Sequence, residues 1–129
     1  MVYILPGVLA AVLAYLSNWM AVRFLGNVAI ITVIPFFEEM YKSLIPVFLG
    51  APLIYSHITF GVIEAAYEFV TAGKDGAAIG GMVSLISHLV FGIITWAAYY
   101  ISKSLLFSVL FAALIHCLWN YIIMKAHVY

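Results

Sequence analysis

Five long apolar stretches, separated by short polar or glycine-containing segments, make up almost the whole chain. Each is about 20 residues long, which is the length an α-helix needs to cross the hydrocarbon core of a bilayer. The pattern predicts an all-α, polytopic helical membrane protein of one domain. The predicted transmembrane helices are residues 2–24, 28–49, 53–72, 77–101 and 105–124. An arrangement with four spans stays open, in which the first segment and residues 27–35 share one crossing.

The composition agrees with this class of protein. Of the 129 residues, 67% are hydrophobic and 8% are charged, and the mean hydropathy is +1.20. These values exclude an ordinary soluble domain and make the lipid bilayer the expected surroundings. The formal net charge is zero and no basic run occurs, so we expect no nucleic acid partner. Cys117 is the only cysteine, which excludes an internal disulfide.

The few basic residues predict an orientation in the membrane. With five spans, Arg23, Lys74 and Lys125 lie on one side and Lys103 lies on the other. Basic residues favour the cytoplasmic side, so we expect the N-terminus outside and the C-terminus in the cytoplasm. The N-terminus lacks a basic region of the kind that opens a signal peptide, so we expect it to begin a first span. We predict a multi-pass protein of the cell membrane.

Charge interrupts the second apolar stretch at residues 35–42, Pro-Phe-Phe-Glu-Glu-Met-Tyr-Lys. Charged groups near the middle of a bilayer are costly unless they are paired or hydrated, so they mark a candidate functional site. On a helix, Glu38 lies one turn before Lys42, and Glu39 lies three residues before it. The spacing favours a pair of Glu38 with Lys42, which leaves Glu39 freer, and either glutamate stays a candidate base. A structural ion pair that holds two helices together is the alternative.

Ionisable side chains of the other stretches fall at the same depth. Helices advance about 1.5 Å per residue, and successive spans run in opposite directions. Glu64, His88 and His116 are near the middle of their spans, level with the two adjacent glutamates. Because buried ionisable groups in lipid face inward and seek partners, we predict a polar cluster at mid-membrane that water can reach. Asn120 lies one turn from His116 on the same helix face.

Other polar residues are interpreted as peripheral. His57, Glu64 and Glu68 are spaced by seven and four residues and share a helix face. We interpret His57 and Glu68 as interfacial rather than as part of an entry path, because they lie near opposite ends of the span. Asn18 likewise suits the interfacial end of the first span. His127, in the C-terminal tail, is expected to be inert.

Glutamate, histidine and asparagine together make a workable hydrolytic set. A glutamate can deprotonate water, a histidine can orient that water or relay the proton, and an asparagine can donate to the developing oxyanion. Glu39, His88 and His116 could instead hold Zn²⁺ with one open position, so the metal requirement stays open. A proton-coupled transporter also keeps Glu and His at mid-membrane. Five short spans without an internal repeat favour that function less.

Four short motifs, in order along the chain, resemble those of the PrsW family of intramembrane proteases. Residues 35–42 resemble its P-x-x-E-E-x-x-K motif, and residues 60–64, Phe-Gly-Val-Ile-Glu, resemble its second motif. Residues 87–92, Ser-His-Leu-Val-Phe-Gly, and residues 116–120, His-Cys-Leu-Trp-Asn, resemble the third and fourth. PrsW looks related to the CAAX prenyl endopeptidases, the wider CPBP group and the APH subunit of gamma-secretase.

The resemblance implies a helical membrane protease that hydrolyses peptide bonds of a membrane protein or peptide substrate. By analogy with the prenyl endopeptidases, Glu38 or Glu39 would activate the water together with His88. His116 and Asn120 would stabilise the oxyanion. The PrsW family has been classed as metal-dependent, but this glutamate mechanism requires no metal cofactor.

The chain also departs from these families. Lys42, an auxiliary residue, matches PrsW, whereas the prenyl endopeptidases usually carry Arg one position later. Glu64, which would be an auxiliary acid, is followed by two alanines where PrsW proteins often have Asn. The APH subunit shows that this fold can serve as a scaffold, so a non-catalytic assembly role is the alternative function. A homo-oligomer is also expected to suit so small a bundle, because neighbours would cover its polar interior.

Overall fold

Helices follow one another along the computed structural model, which describes residues 3–71 and 77–126. The helices within these ranges are α1 (Leu5–Leu25), α2 (Val28–Ile31), α3 (Val33–Phe48), α4 (Leu53–Thr71), α5 (Ala77–Ser102) and α6 (Leu105–Ala126). No strand occurs in either range. The predicted all-helical class is therefore confirmed.

Four of the predicted spans are single helices with nearly the predicted ends, namely α1, α4, α5 and α6. Pro6 lies in the first turn of α1, where its missing N–H has no helical partner to lose. Residues 103–104 form the short link between α5 and α6 that the sequence predicts. The predicted loop at residues 73–76 and the tail residue His127 lie outside the described residues.

The second predicted span is not one helix. It divides into α2, of four residues, and α3, of 16 residues, with Thr32 between them at φ −125° and ψ −85°. Pro35 explains the break, because in a continuous helix it could not donate to the carbonyl of Ile31 and its ring would clash with that carbonyl. Pro35 instead lies in the first turn of α3, where N–H groups have no helical partner. Pro46 stays inside α3, which ends two residues later.

Three of the described helices, α1, α5 and α6, are long and apolar enough to cross a membrane. The break at Thr32 leaves α3 too short to be counted with them, and α4 carries polar side chains at His57, Glu64 and Glu68 that lower its hydropathy. The predicted count of about five spans is therefore not supported, although three such helices support a membrane protein.

The polarity of the molecule is inverted relative to a soluble protein. Phe48 is 90% exposed and Ile101 is 81% exposed, whereas the largest fully buried side chains include Lys42, His57 and Glu39. Proteins in water bury charged residues of this kind only rarely. Lipid tails are as apolar as the exposed side chains, so a bilayer accommodates this exterior. The distribution therefore agrees with the membrane class.

Helix α3 lies at the centre and contacts α1, α4 and α6. Small residues let α1 approach it, and Ala10 and Ala14 of α1 form a buried cluster with Phe60 of α4. At the other end of α1, Ala21 packs with Ala29 and Ile34. The polar residues of α3 are consequently enclosed by neighbouring helices.

Glycines bring α4 and α5 close together beside α3. A Cβ atom built on Gly61 would lie 2.9 Å from the Cβ of His88, and one built on Gly92 would lie 2.7 Å from the Cβ of His57. Real Cβ atoms essentially never come so close. The two contacts therefore fix the separation at which α4 and α5 present one histidine each toward α3.

Candidate functional site

Ionisable side chains of four helices meet around α3 in the described part of the chain. The members of this polar cluster are Glu38, Glu39 and Lys42 of α3, His57 and Glu64 of α4, His88 of α5 and His116 of α6. All except Glu64 are buried. The structure thus brings together the groups that the depth argument places at one level, and it adds His57.

Lys42 connects the cluster. Its Nζ donates to Oε1 of Glu39 at 2.5 Å and to Nδ1 of His88 at 3.0 Å. The ammonium also lies 4.7 Å from the ring centroid of Phe60, a cation–π contact. The predicted pairing of Lys42 with Glu38 is therefore wrong. Glu38 is hydrogen-bonded to Asn18 of α1, whereas Lys42 is hydrogen-bonded to Glu39 of its own helix and to His88 of α5.

The partners of His88 define where its proton lies. A lysine ammonium has donors only, so Nδ1 of His88 accepts from Lys42. In the neutral ring the proton is then on Nε2, which donates to Oε2 of Glu64. Ser84 donates to the same oxygen at 2.9 Å. Glu64 is therefore held as a carboxylate by two donors.

His116 lies between the two adjacent glutamates. Its Nδ1 is 3.0 Å from Oε1 of Glu39, and its Nε2 is 3.8 Å from Oε2 of Glu38. Because the Glu39 carboxylate can only accept, Nδ1 donates to it and the neutral ring leaves a lone pair on Nε2. Two acceptors then face each other across 3.8 Å. Such a pair suits a molecule with two donor hydrogens, and water is one.

Asn18 of α1 completes the surroundings of Glu38. Its Nδ2 donates to Oε1 of Glu38 at 2.7 Å. Sequence reasoning assigned Asn18 to the interfacial end of the first span and did not predict its contact with Glu38; α1 continues to Leu25, about 10 Å beyond Asn18. Asn18 lies seven residues before the C-terminal end of α1, and this position inside an apolar helix is the sequence signal that could have indicated a buried polar contact.

His57 is a second residue that the sequence analysis set aside. It is fully buried, and its Nδ1 lies 3.8 Å from Oε2 of Glu39. Sequence reasoning treated His57 as peripheral, whereas its ring is enclosed where α4 packs along α5 beside Gly92. The seven-residue spacing to Glu64 was a usable signal. Glu68, by contrast, is half-buried one turn beyond Glu64 and belongs to no contact of the cluster.

Asn120 does not face the polar cluster. Its Nδ2 donates to the carbonyl of Ile30 at 2.9 Å, and the neighbouring Cys117 donates to the carbonyl of Thr32 at 3.3 Å. Both carbonyls lie at the break between α2 and α3, where backbone groups lack helical partners. Asn120 therefore ties α6 to this break, and the geometry gives no support to its predicted role as an oxyanion donor beside His116.

A cavity of about 890 Å³ lies between α1 and α4. Much of its wall is apolar, with Val12 and Leu16 on α1 and Ile63 on α4, and the carboxylates in its lining are Glu38 and Glu64. Glu39 is not in the lining. Ligand sites in proteins span about 300 to 1,000 Å³, so this cavity has room for a short segment of substrate next to Glu38.

In this structure Lys42 competes with a divalent cation for the donor set of the cluster. Glu38, Glu64 and His88 present one ligand atom each within 4.8 Å of one another, a set that differs from the predicted zinc ligands. A neutral imidazole has one lone pair, and Lys42 already occupies that of His88. His88 belongs to the predicted zinc set as well, so a metal would have to displace this ammonium from His88 in either set.

No protein-family model, curated protein or solved structure matches this chain. The resemblance to PrsW therefore stays a prediction, and the function is inferred from the geometry of the cluster and cavity.

Proposed function

We propose that the protein is an intramembrane peptidase, similar to the PrsW family, that hydrolyses peptide bonds of membrane-associated substrates with a water activated by Glu38. One observation carries this proposal. A buried carboxylate, flanked by an acceptor nitrogen and an amide donor, lines a largely apolar cavity in a protein with an apolar exterior. Intramembrane ionisable groups are retained for function more often than for packing.

Glu38 suits the role of base better than Glu39. Glu39 gives one oxygen to both Lys42 and His116 and lies outside the cavity lining, so it is already neutralised and shielded from substrate. Glu38 lines the cavity and keeps Oε2 directed toward Nε2 of His116. A general base must lie within hydrogen-bond reach of the proton that it removes. Water between these two atoms meets that requirement.

The reaction then follows from the donors and acceptors present. Water donates one O–H to Oε2 of Glu38 and the other to Nε2 of His116. Its oxygen attacks the carbonyl carbon of the peptide bond while Glu38 takes the first proton. When the tetrahedral intermediate collapses, the C–N bond breaks and this proton passes to the leaving nitrogen. The products are a carboxylic acid and an amine, so atoms and charges balance.

Asn18 replaces Asn120 as the donor to the oxyanion in this proposal. One N–H of its Nδ2 goes to Glu38, and the amide has a second N–H. Asn18 lines the same cavity as Glu38, so this second N–H is available to the oxygen of a substrate carbonyl there. Fixed donors at a developing oxyanion are among the largest contributions to catalysis.

The substrate reaches this site from the lipid. The cavity lies between α1 and α4, and its apolar walls suit a membrane-embedded peptide segment. In this proposal α3 and α4 also lie within the bilayer beside α1, α5 and α6, as the five predicted spans require. The N-terminus outside, the cytoplasmic C-terminus, the cell membrane location and a homo-oligomer belong to the same proposal.

The test is cleavage of single-span and prenylated peptides by the purified protein in lipid nanodiscs. Glu38→Gln should lower kcat by about 10²-fold to 10⁴-fold, the usual contribution of a general base, with an unchanged melting temperature. Glu68→Gln, which changes an acid outside the cluster, should cleave like the parent. A chelator should have no effect in this mechanism.

Three results would contradict the proposal in different ways. Parent-like cleavage by Glu38→Gln would remove Glu38 as the base. Loss of cleavage with chelator and recovery with Zn²⁺ would assign the reaction to a metal. A parent protein that cleaves no peptide of the panel would favour the scaffold function.

A further inference from the structure

We propose that His57 is a further positioning residue of this site, which holds the second oxygen of Glu39 through the N–H of its Nδ1. The inference deepens the proposed function and rests on it for the kinetic test only. Neither the motifs nor the predicted roles assign anything to His57.

Two unpartnered polar groups face each other here. His57 and Glu39 are both fully buried. Both ring nitrogens of His57 and Oε2 of Glu39 have no hydrogen-bond partner within the described structure, and Nδ1 lies 3.8 Å from Oε2. Buried polar atoms in proteins are almost always hydrogen-bonded. At 3.8 Å the two atoms are beyond direct hydrogen-bond distance, so we infer that one water molecule, or a small rotation of either side chain, joins this donor to this acceptor.

The contact gives the second carboxylate oxygen of Glu39 a hydrogen-bond donor. Its Oε1 already accepts from Lys42 and His116, but a carboxylate held at one oxygen can still rotate about its last bond. A donor at Oε2 fixes the plane of the carboxylate. His116 donates to Glu39 through Nδ1, and its Nε2 faces Oε2 of Glu38. By fixing Glu39, His57 therefore also fixes the orientation of His116 beside the proposed base, Glu38.

Packing keeps His57 in this position. A Cβ atom built on Gly92 would lie 2.7 Å from the Cβ and 3.0 Å from the Cγ of His57. The imidazole is therefore confined between α5 and the Glu39 face of α3. A ring that cannot swing away is suited to orienting its partner, since well-placed supporting groups are what keep a catalytic arrangement rigid.

Nuclear magnetic resonance tests the contact without any activity. We would label the histidines with ¹⁵N in nanodiscs, assign His57 from the spectrum of His57→Asn, and determine which ring nitrogen carries the proton. The proposal expects a protonated Nδ1. An Nδ1 without a proton would overturn it, whether or not the protein cleaves a peptide.

Kinetics on a cleaved peptide test the positioning role. His57→Leu should lower kcat by about 10-fold to 100-fold, the range for a misplaced catalytic group, and should change KM by less than about twofold. His57→Asn should recover much of the loss, because its Nδ2 occupies nearly the place of the histidine Nδ1. Thr95→Val, which removes a buried hydroxyl bonded to the carbonyl of Phe91, is the control for a purely structural change.

The outcomes separate this inference from the proposed function. If the parent cleaves and His57→Leu cleaves equally well, or His57→Asn is no better than His57→Leu, the positioning role is overturned and the peptidase stands. If the parent cleaves nothing, the proposed function fails, and the proton on Nδ1 alone decides whether His57 holds Glu39.

Discussion

Two adjacent glutamates have opposite surroundings, and the difference arises from single neighbouring residues. Glu39 is bonded to Lys42 and His116, while Glu38 is bonded to Asn18 and lines the cavity. Consecutive helical residues point about 100° apart, so each carboxylate meets a different helix. The same chemical group therefore serves as a fixed counter-charge in one position and as the proposed base in the other.

Depth along the helices predicts most of the residues that meet in this cluster, with His57 as the exception, but it does not predict their pairing. Glu64, His88 and His116 lie near the middle of their helices and meet as the sequence indicates. Whether Lys42 pairs with Glu38 or Glu39 depends on Asn18, which binds Glu38 from a helix about 20 residues away in sequence. A spacing rule within one helix contains no information about that neighbour.

Replacing each of the two asparagines tests which one takes part in catalysis. Asn18→Leu should lower kcat by about 10²-fold to 10³-fold, as the loss of one oxyanion donor does, and should also lower the melting temperature, because it leaves Oε1 of the buried Glu38 without its donor. Asn120→Leu should keep kcat within about threefold and lower the melting temperature only, because it leaves the carbonyl of Ile30 without its donor. Peptide cleavage by both variants, measured below their melting temperatures, distinguishes the roles. The reverse result would restore Asn120 as the oxyanion donor.

At the scale of helices, hydrophobicity alone predicts one continuous helix for the second apolar stretch, and proline explains why that stretch is broken. An apolar run from residue 28 to residue 49 reads as one span, and its break at Thr32 follows from Pro35. Proline indicates an interruption in the sequence, but it does not show whether the helix kinks or ends. Here Asn120 and Cys117 bind the carbonyls at the break, and these contacts of α6 stabilise an ended helix.

The close packing of α4 on α5 gives a prediction at the same scale. Gly92→Ala should destabilise the protein by about 1 to 3 kcal/mol, the usual effect of overpacking, because the new methyl group meets the Cβ of His57. Gly80→Ala is the matched control on the same helix, since the nearest atom to its Cβ is Oε2 of Glu68 at 3.5 Å.

Thermal unfolding in lipid measures both glycine variants. We expect a lower melting temperature for Gly92→Ala and an unchanged or slightly higher one for Gly80→Ala, because alanine favours helix over glycine. Equal stability of the two variants would mean that Gly92 does not set the separation of α4 and α5.

For the whole molecule, composition predicts the membrane class, whereas the cavity requires the structure. Apolar residues cover the exterior and the polar ones are buried, as the sequence pattern indicates. Helices α1 and α4 are in close contact at Gly7 and Thr59, and further along Tyr15 and Tyr67 line the cavity with their ring centroids 6.3 Å apart. These contacts join residues about 50 positions apart in the sequence, so no local sequence pattern predicts the cavity.

Filling the cavity tests its role as the substrate site. Val12 lines the cavity, whereas its neighbour Leu13 is exposed on another face of α1 and is not in the lining. Val12→Trp should lower kcat/KM by about 10-fold or more, mainly through KM, because a bulky side chain excludes substrate volume. Leu13→Trp should be neutral, since its indole faces lipid. Cleavage assays with similar melting temperatures measure this, and equal effects of the two variants would place the substrate elsewhere.

The sequence separation of the partners in the polar cluster has a consequence for how the protein is made. Lys42 and His88 are 46 residues apart, and Glu39 and His116 are 77 residues apart. At a synthesis rate of about 5 to 20 residues per second, Glu39 waits roughly 4 to 15 seconds for His116 to leave the ribosome. If α3 enters the bilayer, as the proposed function requires, Glu39 lacks His116 during that time in surroundings that disfavour charge. We therefore expect a nascent chain truncated before α6 to be less stable in the membrane than the full chain.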